Sequence, residues 1–191
     1  MAAGDFTRAM GTDPICWADE TDYNNAVSGI TRTHQIDLTS LAAADAWQGA
    51  KADLGATRPP GYAVKLCIEM DVAPTAGGAV ELYWSSSYSA TAATGNDGGA
   101  EAAGADSDWD GIAGGAAAER GEYKNHLIFI GQLGVGADAD IPMVKTVNPY
   151  FVPPTRYGFP ILINNTTQAF QGDAVEMYIA FIPILENIAA S

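Results

Sequence analysis

Hydrophobic and polar positions alternate most cleanly in YAVKLCIEMDV, residues 62–72. Tyr62, Val64, Leu66, Ile68, Met70 and Val72 hold the even positions, while Lys65, Glu69 and Asp71 hold odd ones. A repeat of two over such a stretch predicts a strand with one buried face and one wet face. PTAGG follows, and then AVELYWSSSYS, with Val80, Leu82 and Trp84 on one face. The connection is too short for a crossover, so the two strands are expected to pair as an antiparallel hairpin.

Further stretches carry related patterns. In HQIDLTSL, Ile36 and Leu38 alternate and predict a strand. Residues 41–52 are open to two readings: a short helix weakened by Gly49, or a loop followed by a strand carrying Trp47. HLIFIGQLGV is apolar on both faces and predicts a strand buried between layers. IPMVKTVNPYFV is broken by Pro142 and Pro149, which suits an edge strand or bends. RYGFPILINNTTQAF predicts a strand with a turn at Asn164-Asn165. AVEMYIAFIPIL places Val175, Met177, Ile179 and Phe181 on one face. Gly, Pro and Asn separate these segments, and no strongly amphipathic helix lies between them. The fold class is therefore all-β, an antiparallel β-sandwich and not a βαβ fold.

Two regions fall outside the pattern. Residues 1–33 are polar and irregular, with Asp13-Pro14 and Asn24-Asn25 as turn signals, and are expected to form an extended N-terminal arm. The sandwich domain would then run over 34–191. Within it, residues 90–121 are almost all Ala, Gly, Asp, Thr and Ser, a surface insertion with a short helix near Gly115 to Glu119.

Composition narrows the partners. At 191 residues and 48% hydrophobic, the chain can build a core without disulfides or a structural metal. No apolar run approaches the ~20 residues of a membrane span. The opening MAAGDFTRAM has no apolar signal core, so no secretion is expected. Net charge is 9 − 23 = −14, which disfavours nucleic acid and anionic membranes and suits docking on a basic protein surface. Cys16 and Cys67 lie far apart in sequence and read as buried thiols.

Candidate chemistry is sparse. In ADSDWDG, Asp106, Asp108, Asp110 and Gly111 match the start of a helix–loop–helix calcium loop. The twelfth position, however, is Ala117 and not a bidentate acid, so that motif fails. The three aspartates stay as candidate ligands of a looser calcium site, against a solvated turn anchored by Trp109. No nucleophile elbow, metalloprotease helix, phosphate loop or paired-cysteine motif is present. His34 and His126 flank strand patterns and read as structural or interface groups. Asp19-Glu20 and Asp138/Asp140 read as loop charges. No catalytic residue and no other cofactor is assigned, and the chain is read as a non-enzyme. Aromatic residues carry more weight. Trp17, Tyr23, Trp109, Tyr150 and Tyr157, with Arg156, are the candidate interface residues, because rings and guanidinium groups give large contact area at low entropic cost.

The order of several segments adds a resemblance. AWQGAKADLGATRPPGYAV, APTAGGAVELYWSSSYSATAATGNDGG, ADSDWDG, HLIFIGQLGV and FVPPTRYGFPILINNTTQAF follow one another from Ala46 onward. This order resembles that of small virion structural proteins of tailed bacteriophages. The chain departs from the pattern in its longer acidic loop and in Pro160 within the RYG strand. The resemblance implies a jelly-roll-like sandwich on the phage capsid surface, made in the bacterial host cytoplasm. It implies a decoration or cement protein, a homo-oligomer with a trimer favoured, docked on the major capsid protein. The alternative is a head- or tail-surface module that binds host glycan through exposed rings such as Tyr88 or Trp109.

Overall fold

The computed structural model describes residues 6–113, 115 and 117–188. Its strands are β1 (Phe6–Met10), β2 (Ile15–Ala18), β3 (His34–Gln35), β4 (Ala46–Gln48), β5 (Ala52–Asp53), β6 (Gly61–Ile68), β7 (Ala79–Ser87), β8 (Ser107–Asp108), β9 (Ile128–Gly134), β10 (Met143–Phe151), β11 (Tyr157–Asn165) and β12 (Tyr178–Ile188). Two short helices, α1 (Asn25–Ser28) and α2 (Ala117–Tyr123), lie outside the sheets.

The strands form two sheets. One runs β10-β6-β12-β2-β3, with β1 also on β12, and the other runs β8-β4-β11-β7-β9, with β5 also on β11. The pairings nest. β2 pairs with β12, β4 with β11, β6 with β10 and β7 with β9, all antiparallel. The first half of the chain is thus matched, strand by strand, against the second half in reverse order. A long antiparallel ribbon rolled into two facing sheets has this topology, which is the jelly roll. The all-β sandwich expected from the alternation is therefore present.

The central core fills the gap between the sheets. Val64, Leu66 and Ile68 of β6 face the same cluster as Val80, Leu82 and Trp84 of β7, together with Ile179 and Phe181 of β12. This corrects the hairpin reading. β6 and β7 belong to opposite sheets, and the 69–78 connection crosses from one to the other. Both even-numbered faces are apolar because they meet each other across the core, not side by side in one ladder. The same holds at Asn164-Asn165, which continues β11 opposite Val80 and Ala79 and makes no hairpin turn. Asn164 is buried and donates from Nδ2 to the carbonyls of Leu41, Ala42 and Gln168 at 2.9–3.1 Å. Residues 41–52 resolve into a loop followed by β4 carrying Trp47.

Edges behave according to their residues. β10 is an edge strand with register shifts around Asn148, as its prolines suggest. β9 is the other sheet's edge, not a strand buried between layers, and Ile128 and Phe129 are 36% and 52% exposed.

The N-terminal region is no arm from Phe6 onward; residues 1–5 of the expected arm lie outside the described residues. β1 and β2 lie end to end along β12, and Trp17 is fully buried between Trp84 and Phe181. The sequence missed this because polar residues separate two very short strands. Residues 19–33 then fold over the outer face of this sheet. There Tyr23 and Ile30 cover Cys16, Ala18, Cys67, Tyr178 and Ala180. Both cysteines are buried free thiols, and burial pushes them up to about 11 for Cys16 and about 12 for Cys67. A thiol reagent at pH 8 is expected to label neither in the folded protein and both after denaturation, because only the thiolate reacts. Prompt labelling of the native chain would contradict this packing.

The Ala- and Gly-rich stretch is also more than a surface excursion. It closes over the outer face of the second sheet, where Ala102, Trp109 and Leu127 pack on Tyr83, Phe159, Ile161 and Ile163. Its order comes from two polar side chains, the buried Gln48 and the half-buried Lys51. Gln48 donates from Nε2 to the carbonyls of Glu101 and Asp108 and to Ser107 Oγ, and its Oε1 accepts from the backbone N–H groups of Ala103 and Gly104. Lys51 Nζ donates to the carbonyls of Ser89, Thr91 and Thr94 and to Ser87 Oγ, much as a metal ion would gather a loop. The short helix arrives close to where composition placed it, at Ala117–Tyr123.

Candidate functional site

The three loop aspartates do not converge. Asp106 Oδ1 accepts from the Asp37 backbone N–H at 2.8 Å and from Trp47 Nε1 at 2.6 Å. Asp110 is neutralised by Arg120, which also reaches Asp45 Oδ1 at 2.9 Å and the Ala44 carbonyl at 2.6 Å. Asp108 is largely exposed, and the partial loss of water around its carboxyl, together with the nearby Asp45 and Asp110, holds it above the usual range. The reason is backbone shape. Alternate residues of an extended segment lie ~6–7 Å apart, too far to share an ion without the curvature of a calcium loop. Among the described residues, only Glu69, Asp173 and Glu176 gather three ligand atoms, all within 4.8 Å of one another.

The interface candidates separate into two groups. Trp17 and Trp109 are fully buried, so neither can meet a partner. Trp17 Nε1 donates to the Ala50 carbonyl at 2.7 Å and Trp109 Nε1 to the Gly98 carbonyl at 3.0 Å. Tyr23 is half-buried, donates to the Ile30 carbonyl at 2.8 Å and packs edge-on to Tyr178. It works within the fold. Arg156 and Tyr157 are at the surface but engaged. Arg156 makes a two-pronged pair with Asp53 at 2.6 and 2.7 Å and lies over the Tyr157 ring. That pair holds the Asp53 carboxyl down to about 2. At such exposure the pair contributes little to stability.

Tyr150 does reach solvent, 38% exposed. Its ring covers Gly61, where a Cβ would meet the ring at 2.8 Å, and the Arg8 guanidinium stacks 4.9 Å above it. Tyr150 lines a depression of about 320 Å³ with Arg8, Met10, Pro149 and Ile184. Its hydroxyl donates to the Pro60 carbonyl at 3.1 Å. Pro60 opens a second depression of about 350 Å³ with Arg58, Pro59, Val152 and Pro153. The Tyr150–Pro60 hydrogen bond links the two depressions, and Met10 in one and Val152 in the other are each 54% exposed. Met, Tyr and Arg are the residues enriched where proteins meet. Sequence reasoning found Tyr150 but not Met10, Arg58 or Val152. The only signal was the density of prolines at 59–60, 149 and 153–154.

His34 and His126 do not form a reacting pair. The His34 ring stacks near Trp17 and its Nδ1 meets Thr33 Oγ1, whereas His126 packs edge-on to Tyr123. No helix among the described residues is long and apolar enough to cross a membrane.

Neither a family model, a curated protein nor a solved structure matches the chain. The class is set by the fold itself, a jelly-roll β-sandwich with an additional layer on each outer face.

Proposed function

We propose that this chain is a structural protein of a tailed-phage particle, a capsid decoration or cement protein that docks as a homo-oligomer, a trimer, on the major capsid protein. The observation that carries the reading is the strip of Met10, Tyr150 and Val152, framed by Arg8 and Arg58 on a chain of net charge −14. Apolar area of this kind suits an interface, and Arg8 at its edge is paired with Glu186 at 2.9 Å. The order of sequence motifs supports a phage origin. The jelly roll is compatible with it, since this topology builds viral shells, although it also builds lectins. The mechanism is added contact area repeated around a lattice, where many weak contacts act together. No bond is made or broken. Docking by this strip on the sheet surface replaces docking by a free arm, because β1 and β2 are paired along β12.

The test uses Met10→Asp and Tyr150→Ala. Light scattering on the purified protein is expected to give a trimer. Sedimentation with phage heads that lack the protein is expected to show saturable binding. Each substitution should weaken assembly by about 10–100-fold, the range of a central interface residue. A monomer at every concentration that also fails to bind heads would overturn the proposal.

One observation favours a second reading. Tyr88 is 83% exposed at the end of β7, a ring free to stack on a sugar. Glycan binding that disappears in Tyr88→Ala would favour a host-recognition module. Trp109 cannot take part, since it is buried.

A further inference from the structure

The chain carries five arginines, and four of them pair with its own carboxylates. Arg8 pairs with Glu186, Arg32 with Glu20, Arg120 with Asp45 and Asp110, and Arg156 with Asp53. Arg58 has no carboxylate partner among the described residues, on a chain with 23 acidic groups. Its Nη1 donates instead to the carbonyls of Pro153 at 2.8 Å and Thr155 at 2.6 Å. These contacts orient the guanidinium and leave its Nε and Nη2 donors without a partner among the described residues. That is the edge Arg156 uses on Asp53, with Nε at 2.7 Å and Nη2 at 2.6 Å from the carboxylate oxygens. Its N–H groups match the two oxygens of a carboxylate.

Tyr62 lines the same depression of about 350 Å³ and is 3% exposed. Its ring is held against Phe181, with centroids 5.7 Å apart. Its hydroxyl makes no hydrogen bond among the described residues, although groups this buried are normally satisfied. Burial raises the Tyr62 phenol above its usual range, and the nearby Arg58 charge offsets part of that rise. The phenol therefore keeps its proton at neutral pH and can donate it to an anion beside Arg58.

We infer that Arg58 and Tyr62 form a carboxylate-binding subsite that takes an aspartate or glutamate side chain of the protein on which this chain docks. The assignment to a docked protein rests on the docking role proposed above, whereas the subsite itself does not. The Pro60 carbonyl, bonded to the Tyr150 hydroxyl, joins this depression to the one beside Met10. A partner seated on that apolar surface would exclude water from the pair, and an ion pair left in open water contributes little. The subsite is also ordered in advance. Pro59 and Pro60 restrict the backbone that follows Arg58. Thr155, whose carbonyl orients Arg58, accepts from the Ser87 N–H at 3.3 Å and donates to the Tyr157 carbonyl at 2.7 Å. Little freedom is left to lose on binding. Because the chain as a whole carries −14, one matched carboxylate would fix the register of docking and not add general attraction.

Sodium propionate, which carries the end of a glutamate side chain, tests the subsite, with propionamide as the uncharged control. Titrated into the isotope-labelled full chain, propionate should shift the NMR signals of the Ala56 amide and the Arg58 Nε–H, with a Kd on the order of 10 mM. Propionamide should shift neither. Arg58→Lys should weaken propionate binding by about tenfold or more, since an ammonium cannot make the paired bonds. Tyr62→Phe keeps the ring and should weaken it by about 2–10-fold. The source of the carboxylate is tested by sedimentation with phage heads that lack the protein. Arg58→Lys should bind them about tenfold more weakly than wild type. Heads whose carboxylates have been converted to methylamides should bind wild type only as well as Arg58→Lys, and Arg58→Lys should not distinguish treated from untreated heads. The subsite is overturned if propionate gives no shift at about 100 mM, well above the expected Kd, or if propionamide matches it. Its assignment to a docked protein is overturned if Arg58→Lys binds heads as wild type does. A propionate Kd of about 10 μM or tighter would overturn it too, in favour of a small-molecule site. If no form binds heads while propionate still shifts Arg58, the docking role and the side-chain assignment fall together, and the carboxylate subsite stands.

Discussion

Trp17→Ala is expected to destabilise the protein by about 3–5 kcal/mol, the cost of emptying a tryptophan-sized space in a packed core. The indole is fully buried, with ring centroids 5.9 Å from Trp84 and 5.1 Å from Phe181. Its Nε1 donor satisfies the Ala50 carbonyl at 2.7 Å, which would be left bare. Gly49 cannot move in to fill the void with a side chain of its own, since only the absence of a Cβ lets the indole approach. Against a typical total of about 5–15 kcal/mol, this is a large fraction. At this chain length Tm should fall by roughly 6–20 °C, read by calorimetry or by circular dichroism. The result bears on organisation as well as on stability. An arm that docks only on a partner would lose less than about 1 kcal/mol in the isolated protein, as exposed sites do. Such a small loss would restore the arm.

Gln48→Ala is expected to release the 97–111 layer while leaving both sheets folded. The side chain answers three acceptors and two backbone donors at once. Its removal leaves several of these groups without partners beneath Trp109, at a cost on the order of 3 kcal/mol. The loss should be local. Limited proteolysis is expected to cut within 97–111 at least tenfold faster, and the amides of Ala103 and Gly104 should lose protection from hydrogen exchange. The substitution Gln48→Glu keeps the acceptor but loses the donors, and should act in the same direction. If cleavage and exchange are unchanged, the layer is held by apolar packing of Ala102, Trp109 and Leu127 alone.

Much of the fold is legible in the chain. Alternation in 62–72 and 79–87 marks strands, and both prove to be central. What alternation cannot state is the partner. A strand with one greasy face is satisfied equally by a neighbour in its own sheet and by a sheet opposite. The short 74–78 connection favours the first on local grounds, and the nested pairing of the whole chain imposes the second.

The prolines illustrate the same limit. Pro160 and Pro183 sit inside β11 and β12, where a missing N–H should cost a ladder bond. In an extended strand a residue's N–H and C=O leave on the same side. The Pro160 carbonyl accepts from the Gly49 N–H at 3.0 Å, in the gap between β4 and β5. The Pro183 carbonyl accepts from the Gly11 N–H at 2.7 Å, in the gap between β1 and β2. Each proline therefore lies opposite a place where its neighbour is already interrupted, between β4 and β5 or between β1 and β2, and not within a continuous ladder. The sequence shows the prolines and cannot show the breaks.

Candidate sites were legible in proportion to how local they are. ADSDWDG is conspicuous because its acids are adjacent in sequence, yet extended backbone keeps them apart and Arg120 claims one of them. Glu69, Asp173 and Glu176 are far apart in sequence and meet only because two crossings share one end of the sandwich. The same is true of Met10, Tyr150 and Val152.

The chain alone determined that strands would dominate, that they would stack as layers around an apolar core, and that the whole would carry strong negative charge. Those properties depend on each residue's own affinity for water and on a two-residue period. The tertiary structure alone decided which strands face each other, that Trp17 closes the core, and which acids and apolar side chains share a surface. Those properties depend on distances between residues remote in sequence, which only the complete set of pairings fixes.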